Sequence, residues 1–330
     1  MTVPVGILLA QLGTPDAPTA PALRRYLRQF LGDPRVIEMN PVGRWLLLNL
    51  VVLPFRPRRS AALYRNIWTE AGSPLLLNSR GQAEGLQREL GQAVKVALGM
   101  RYGEPSIPCA IDELCAAGVE RILLFSLYPQ YSGPTTGSTY DEVLRWLPRR
   151  RVVPALRVVP PYHEHPAYIQ AVAQTAREHI AALPKAPEMI LISFHGIPKR
   201  YIEAGDIYRS HCERSAELIA AAMGLVTGPQ NGNCRLAFQS LFGKEEWMRP
   251  YTSETIEQMG REGLKRIAVI LPGFTADCLE TIDEIGREGL HQFRRTGGED
   301  LYRVPCLNTH PAWISAMARI ARDELAGWLS

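Results

Sequence analysis

Short runs of apolar residues alternate with longer amphipathic segments along nearly the whole chain of 330 residues. This alternation is typical of parallel sheets with helical crossovers, so it indicates an α/β protein of the doubly wound kind. Six runs are predicted as β-strands: Val5–Ala10, Val94–Leu98, Arg121–Leu127, Met189–Phe194, Cys234–Phe238 and Arg266–Leu271.

The two halves of the chain also resemble each other in three elements, which occur in the same order. The first pair joins PVGILLAQLGTP to PEMILISFHGIP, and the second joins GVERILL to GLKRIAV. The matching pairs are residues 4–15 with 187–198, 118–124 with 263–269, and 94–103 with 234–243. Internal repeats in this order predict two similar Rossmann-like domains.

Length and composition agree with two domains, because a chain of 330 residues with 46% apolar residues exceeds the usual size of one core. We predict an N-terminal domain at 1–160, a second domain at 161–310 and a C-terminal helix at 311–330. A cleft between the two domains is expected to hold the ligand.

Charge and cysteine content exclude several classes of protein. The net charge of +4 is too small for a dedicated nucleic-acid binder and fits an enzyme with an acidic substrate. The six cysteines form no CxxC pair, so neither a zinc ribbon nor a disulfide framework is indicated. The first apolar run has no basic residues before it and no cleavage pattern, so we expect a cytoplasmic protein.

A second apolar stretch, WLLLNLVVLPF at 45–55, is too short to cross a bilayer, which requires about 18 residues. It is followed by Arg56, Arg58 and Arg59. The stretch can line an apolar pocket, touch the inner face of a membrane, or form an ordinary buried helix.

Ligands of open parallel sheets bind beyond the carboxyl ends of the strands. The loops to consider are therefore 12–18, 128–139, 194–201 and 272–284. His195 lies at the end of one predicted strand, where it can act on a ligand or only close the strand through a local hydrogen bond.

Acidic residues crowd the segment after the last predicted strand: Asp277, Glu280, Asp283, Glu284 and Glu288. Three of the glutamates recur every four residues and therefore share one face of a helix. The helix dipole favours acids only in the first turn, so this face is either simply solvated or used by a cation or proton relay. A histidine facing carboxylates suits a loosely held divalent metal such as Fe²⁺. No motif such as HExxH predicts a permanent metal site.

Seven segments together resemble the successive signatures of the ferrochelatase family: GILLAQLGTP, YRNIWTEAGSPL, GMRYGEPSI, YPQYSGPTTGST, SFHGIPKRY, FQSLFGKEEWMRPYT and PGFTADCLETIDEI. They cover residues 6 to about 290 in the expected order. The resemblance implies a type II chelatase fold with a porphyrin cleft between two Rossmann-like domains and no nucleotide. It implies a lyase that inserts Fe²⁺ into protoporphyrin IX to give haem and releases two protons.

The resemblance also assigns roles to single residues. His195 and Glu280 match the catalytic, metal-associated pair of the family, and they coincide with the residues found from the loops. Four further residues match the porphyrin pocket or its lip: Arg56, Tyr64, Ser73 and Trp247. Metallation must remove two pyrrole protons, so Asp277, Glu284 and Glu288 are assigned to a relay for iron or protons.

Some members of the family hold a [2Fe–2S] cluster through cysteines, but this chain has Gly133 in the corresponding loop and no terminal cysteine group. We therefore expect no cluster and no permanently bound cofactor, with Fe²⁺ as a substrate. Cys278 is either a soft ligand or a buried thiol. The partners expected are porphyrin and ferrous iron, without nucleic acid or an obligate protein partner, and contact with a membrane surface or a haem acceptor stays open.

Two other functions compete with this prediction. A coproporphyrin III ferrochelatase would give coprohaem, and a non-catalytic tetrapyrrole or metal carrier would keep the fold without the chemistry. The presence of both His195 and Glu280 argues against the carrier, since a carrier does not need a proton acceptor.

Overall fold

The computed structural model describes residues 5–227, 232–241, 243 and 245–329. Pro4 of the first repeat, and Phe242 and Lys244 of the motif at 238–252, lie outside the described residues. The strands are β1 (Val5–Gly13), β2 (Val94–Tyr102), β3 (Arg121–Ser126), β4 (Ala155–Val158), β5 (Met189–His195), β6 (Cys234–Gln239), β7 (Arg266–Ile270) and β8 (Asp300–Arg303).

Helices occupy most of the chain between the strands. The α-helices are α1 (Ala20–Gly32), α2 (Pro41–Leu46), α3 (Leu53–Ile67), α4 (Pro74–Leu90), α5 (Ile107–Ala116), α6 (Ser138–Trp146), α7 (Pro166–Ala181), α8 (Lys199–Glu203), α9 (Tyr208–Met223), α10 (Thr252–Arg261), α11 (Leu290–Arg295) and α12 (Pro311–Glu324). Among the residues that the structure describes, three segments are π-helical: Leu47–Val52, Gly133–Gly137 and Glu280–Gly289. Such segments are rare and are frequently found at functional sites.

The strands form two parallel sheets of the same topology. Their orders are β2-β1-β3-β4 and β6-β5-β7-β8, so each strand of the first sheet has a counterpart in the second. The predicted α/β class with two similar parallel sheets is confirmed. The inner strands are buried along nearly their whole length, which is why they appear in the sequence as continuous apolar runs.

Two strands were missed by the sequence analysis. Strands β4 and β8 have only four residues each and lie at the edge of their sheets. Neither contains a fully buried apolar run, since most of their residues are partly exposed. Short edge strands of this kind carry too little hydrophobic signal to be predicted.

The sequence alignment of the third repeated pair, 94–103 with 234–243, is wrong by two residues. Ile7 pairs with Val96 in the first sheet, whereas the corresponding Ile190 pairs with Cys234 in the second. Val96, and not Val94, is therefore the counterpart of Cys234. The same shift is seen in two matching backbone hydrogen bonds, from Met100 to Pro105 at 2.6 Å and from Phe238 to Pro250 at 2.8 Å.

The chain divides into two compact units, one formed by Met1–Pro161 with Met317–Ser330 and the other by Tyr162–Ala316. Helix α12 begins at Pro311, and from Met317 onwards the chain belongs to the first unit. The separate segment 311–330 stays a prediction. Arg157 of β4 explains the attachment, because its guanidinium donates to the carbonyl oxygens of Glu324 and Ala326.

Candidate active site

His195 ends strand β5 with its ring partly buried. Its Nδ1 lies 2.6 Å from the carbonyl oxygen of Gly196. Because a carbonyl oxygen only accepts, Nδ1 carries the proton and the lone pair is on Nε2. Burial lowers the pKa of His195, and the Glu280 carboxylate partly opposes this shift. The imidazole is therefore neutral near pH 7 and can accept a proton or bind a metal at Nε2.

The surroundings of His195 are aromatic and tightly packed. Its ring centroid lies 6.2 Å from that of Trp247 and 6.4 Å from that of Phe274. The next residue must be small, since a Cβ on Gly196 would lie 3.1 Å from the carbonyl oxygen of Gln239. The indole nitrogen of Trp247 is buried and has no hydrogen-bond partner within the described ranges.

The acidic segment is a π-helix and not the ordinary helix that was predicted. Glu280 and Glu284 are partly buried, and Glu288 is exposed. Burial raises the pKa of Glu284 to about 7, and the charges of Glu280 and Glu288 act in the same direction. The three predicted carboxylates are thus coupled electrostatically, with one of them able to change its charge near neutral pH.

Two other acids of the cluster are held in ion pairs. Asp283 is buried and binds Arg287 through both oxygens, at 2.6 and 3.0 Å. Asp277 accepts from Arg303 at 2.6 Å and from the amide of Asn308 at 2.8 Å. These contacts occupy both oxygens of Asp277, which anchors the loop before the π-helix.

The thiol of Cys278 is buried, and burial together with the nearby Glu280 carboxylate raises its pKa well above the ordinary value. It is therefore a protonated thiol in this environment. Among the residues that the structure describes, no group of three or more His, Cys, Asp and Glu side chains is arranged to hold a metal ion.

The remaining predicted residues belong to the first unit. Arg56 and Tyr64 lie on α3, and the Tyr64 ring packs against Trp68 with centroids 6.2 Å apart. Ser73, just before α4, is buried and its hydroxyl lies 2.8 Å from that of Thr14, in the loop after β1. His195, Glu280, Glu284 and Trp247 belong to the second unit, and these three residues belong to the first.

Gln239 and Ser240, which contact this group, were missed by the sequence analysis. Ser240 donates to the Glu284 carboxylate, and Gln239 donates to the backbone of Glu280. The available signal was a pair of polar residues directly after a strand, in a loop that was not among the four considered.

The segment 39–55 exposes much apolar surface, which we call the apolar lip. Part of it is buried, as an ordinary helix would be, but seven large side chains are not. The exposed side chains are Met39, Val42, Trp45, Leu46, Leu50, Val51 and Phe55. In the described part of the chain, every helix is too short or too polar to cross a bilayer.

The family model for ferrochelatase matches residues 4–325 of the sequence. The chain belongs to the ferrochelatase family. The ferrochelatase of Thioalkalivibrio sulfidiphilus is 47% identical over 328 residues, covering 98% of this chain and 88% of that protein. That of Methylobacillus flagellatus is 46% identical over 329 residues, covering 98% of this chain and 94% of the relative. The resemblance noted from the sequence motifs is confirmed.

Solved structures add evidence on the fold of this ferrochelatase. SirB from Bacillus subtilis with Fe³⁺ matches with a TM-score of 0.59 and 12% identity, over 98% of this chain and 96% of SirB. A cobalt complex of the sirohydrochlorin chelatase SirB from the subspecies spizizenii matches with the same TM-score. The ferrochelatase therefore shares the fold of these chelatases. It is a lyase that inserts metal into a porphyrin for haem synthesis.

Proposed function

We propose that this ferrochelatase inserts Fe²⁺ into protoporphyrin IX, with release of two protons, in a late step of haem biosynthesis. The observation that supports this best is the pairing of a neutral His195 with carboxylates on the neighbouring π-helix. Insertion replaces two pyrrole protons by a dication, so it needs a proton acceptor and a negatively charged path.

In this proposal Nε2 of His195, together with Glu280, contacts the incoming iron, and its one lone pair accepts a pyrrole proton when it is not engaged by the metal. Glu284 and Glu288 continue from Glu280 along the π-helix towards exposed surface, with burial decreasing to the exposed Glu288. A carboxyl group with a pKa of about 7 can both bind and release a proton near neutral pH. These two residues therefore suit the relay of protons or iron.

Asp277 was predicted as a third relay residue, but we assign it a different role. Its oxygens are occupied by Arg303, Asn308 and the hydroxyl of Thr281. A carboxylate held in this way fixes the loop that carries Glu280. We propose that Asp277 positions the loop.

The porphyrin itself is assigned to four residues. Trp247 offers an aromatic wall beside His195 and an indole N–H that has no partner within the described ranges. Arg56 suits an ion pair with a propionate, and Tyr64 and Ser73 are assigned to the pocket. Protoporphyrin IX has fewer propionates than coproporphyrin III, and the strongly apolar segment that leads to Arg56 favours this less charged porphyrin.

We also propose that the enzyme acts in the cytoplasm with its apolar lip against the inner face of the membrane. Val42, Leu50 and Phe55 are 69%, 61% and 74% exposed, which is costly for large apolar side chains in water. Arg58 and Arg59 follow the lip and can approach anionic headgroups. The same surface can dock a haem acceptor, which is the alternative outcome of a membrane-binding test.

The experiment that tests the substrate is an anaerobic metallation assay with Fe²⁺ and either protoporphyrin IX or coproporphyrin III, followed through the visible bands. The proposal predicts a higher kcat/KM for protoporphyrin IX. A higher kcat/KM for coproporphyrin III would assign the enzyme to coprohaem formation. Binding of both porphyrins without metallation would leave only the carrier.

A further inference from the structure

The end of strand β6 is bonded to both parts of the proposed site. The backbone carbonyl of Gln239 accepts a hydrogen bond from the N–H of Gly196 at 2.8 Å, directly beside His195. The side-chain amide of the same residue donates to the carbonyl oxygen of Glu280 at 3.2 Å. Gln239 therefore connects the backbone beside His195 with the backbone of Glu280.

The amide of Gln239 has a defined orientation. Its Oε1 accepts from the hydroxyl of Ser193 at 3.1 Å, and that hydroxyl also lies 2.8 Å from the hydroxyl of Thr252. All three side chains are buried. Because Oε1 is engaged in this way, Nε2 is the atom that faces Glu280 as a donor.

Ser240 holds the next carboxylate of the π-helix at two points. Its N–H donates to Oε1 of Glu284 at 2.8 Å, and its hydroxyl donates to Oε2 at 2.6 Å. Ser240 adopts a φ of 68°, in the left-handed region that residues other than glycine rarely occupy. This backbone conformation accompanies the two-point contact and has a cost that the surroundings must offset.

The first unit contains a corresponding hydrogen bond, formed by different residues. Arg101 and Tyr102 occupy the positions of Gln239 and Ser240, as the matching backbone hydrogen bonds indicate. Arg101 donates to the carbonyl oxygen of Ser138, directly after the π-helical turn, at 3.0 Å. In both units the end of the second strand is therefore tied to the segment after the third strand.

We propose that Gln239 and Ser240 are positioning residues for metal insertion, which hold the His195 loop and the acidic π-helix in a fixed relative geometry. Neither residue needs to touch the substrate. Their effect is to keep the proton acceptor and the carboxylates directed at the same porphyrin, where small displacements are costly. This inference rests on the proposed function of His195 and Glu280.

Ser240→Gly is the most informative variant, because it removes the hydroxyl and keeps the N–H. Glycine also adopts the left-handed conformation without strain, which partly offsets the lost hydrogen bond, so the variant is expected to fold. We expect kcat/KM for Fe²⁺ to fall about tenfold, as for the loss of one hydrogen bond to a charged group. The Kd for protoporphyrin IX, from fluorescence quenching, should change by less than about twofold, since no porphyrin contact is removed.

Ser215→Ala is the matched control. Ser215 is a buried serine of the same unit whose hydroxyl donates to the carbonyl oxygen of His163 at 2.7 Å, outside the proposed site. Its loss should leave metallation kinetics unchanged. Gln239→Leu, which removes both side-chain contacts of Gln239, should reproduce the loss in kcat/KM for Fe²⁺. Ser240→Asn should have a higher kcat/KM for Fe²⁺ than Ser240→Gly, since asparagine tolerates the left-handed region and supplies an N–H donor.

His195→Ala and Glu280→Gln, assayed alongside, separate this inference from the proposed function. If they lose metallation while Ser240→Gly and Gln239→Leu keep wild-type kinetics, the positioning role is overturned and the proposed function stands. If His195→Ala and Glu280→Gln keep wild-type activity, the roles proposed for His195 and Glu280 fail, although the protein still inserts iron. A parallel fall of activity, porphyrin affinity and Tm in Ser240→Gly would also overturn the positioning role, because it would indicate a purely structural one.

Discussion

Ser240 and Glu284 are joined by two hydrogen bonds, from the N–H at 2.8 Å and from the hydroxyl at 2.6 Å. Both donors favour the ionised carboxylate. Burial nevertheless outweighs them, and with the neighbouring Glu280 it raises the pKa of Glu284 to about 7. The folded protein therefore holds a proton on this carboxyl at pH values where an unfolded chain would have lost it.

This shift predicts how Glu284→Gln changes the pH dependence of stability. A raised pKa stabilises the fold at low pH, and this contribution is lost as the pH rises from the ordinary 4.5 to about 7. Glutamine does not titrate, so the variant should gain stability relative to the wild type between about pH 5 and about pH 8. The expected relative gain in Tm is a few degrees, on the order of 2–4 °C for each kcal/mol. The same Tm difference at both pH values in calorimetry would contradict the assignment.

Asp277→Ala tests whether Asp277 anchors the loop or relays protons. Removing it leaves Arg303, only 21% exposed, without its partner, so we expect a loss of about 3 kcal/mol in the free energy of unfolding. Denaturant unfolding measures this loss. Asp16→Ala, which breaks the exposed pair with Arg25, is the control and should cost less than about 1 kcal/mol. Lost activity at unchanged stability would instead support the relay.

Gly13→Ala tests the close approach at the end of β1. Gly13 has a φ of 118°, and a Cβ there would overlap the carbonyl oxygen of Tyr102. Gly72 has a similar φ of 125° but open space around it, so Gly72→Ala measures the strain alone. We expect Gly13→Ala to cost about 2 kcal/mol more than Gly72→Ala, because it adds overpacking to strain. Equal costs in denaturant unfolding would refute the steric account.

Leu50→Ser and Phe55→Ser test the apolar lip. Each should weaken binding to vesicles of phosphatidylcholine and phosphatidylglycerol by about tenfold or more, since burying such a side chain contributes about 1.5–3 kcal/mol. Stability should change by less than about 0.5 kcal/mol. Leu144→Ser is the control, being a similarly exposed leucine outside the lip. If the lip variants cosediment with vesicles as well as the wild type does, the lip is excluded as the membrane contact.

The sequence predicted the inner strands well because burial on both faces leaves a continuous apolar run, as in Met189–His195. It missed β4 and β8 because partly exposed edge strands lack that run. It also predicted an ordinary helix from Glu280 onwards, since a spacing of four residues does not distinguish α-helical from π-helical turns.

The sequence pointed to the candidate residues of the site but not to the long-range contacts that hold them. His195 ends β5 and Glu280 lies in the segment after β7, and the sheet itself brings the carboxyl ends of its strands to one edge. The anchoring of Asp277 depends on Arg303 and Asn308, which lie 26 and 31 residues further along the chain. Such long-range pairing leaves no periodic signal in a single sequence, and the same is true of Ser240 and Glu284.

The central claim is that His195 takes a proton from the bound porphyrin. The most direct test is anaerobic incubation of His195→Ala with Fe²⁺ and protoporphyrin IX, with metallation followed in the visible bands and porphyrin binding by fluorescence. The account predicts that porphyrin binding is retained and that the rate of metallation falls at least about a hundredfold, the scale of general-base catalysis. Metallation by His195→Ala at the wild-type rate would contradict it.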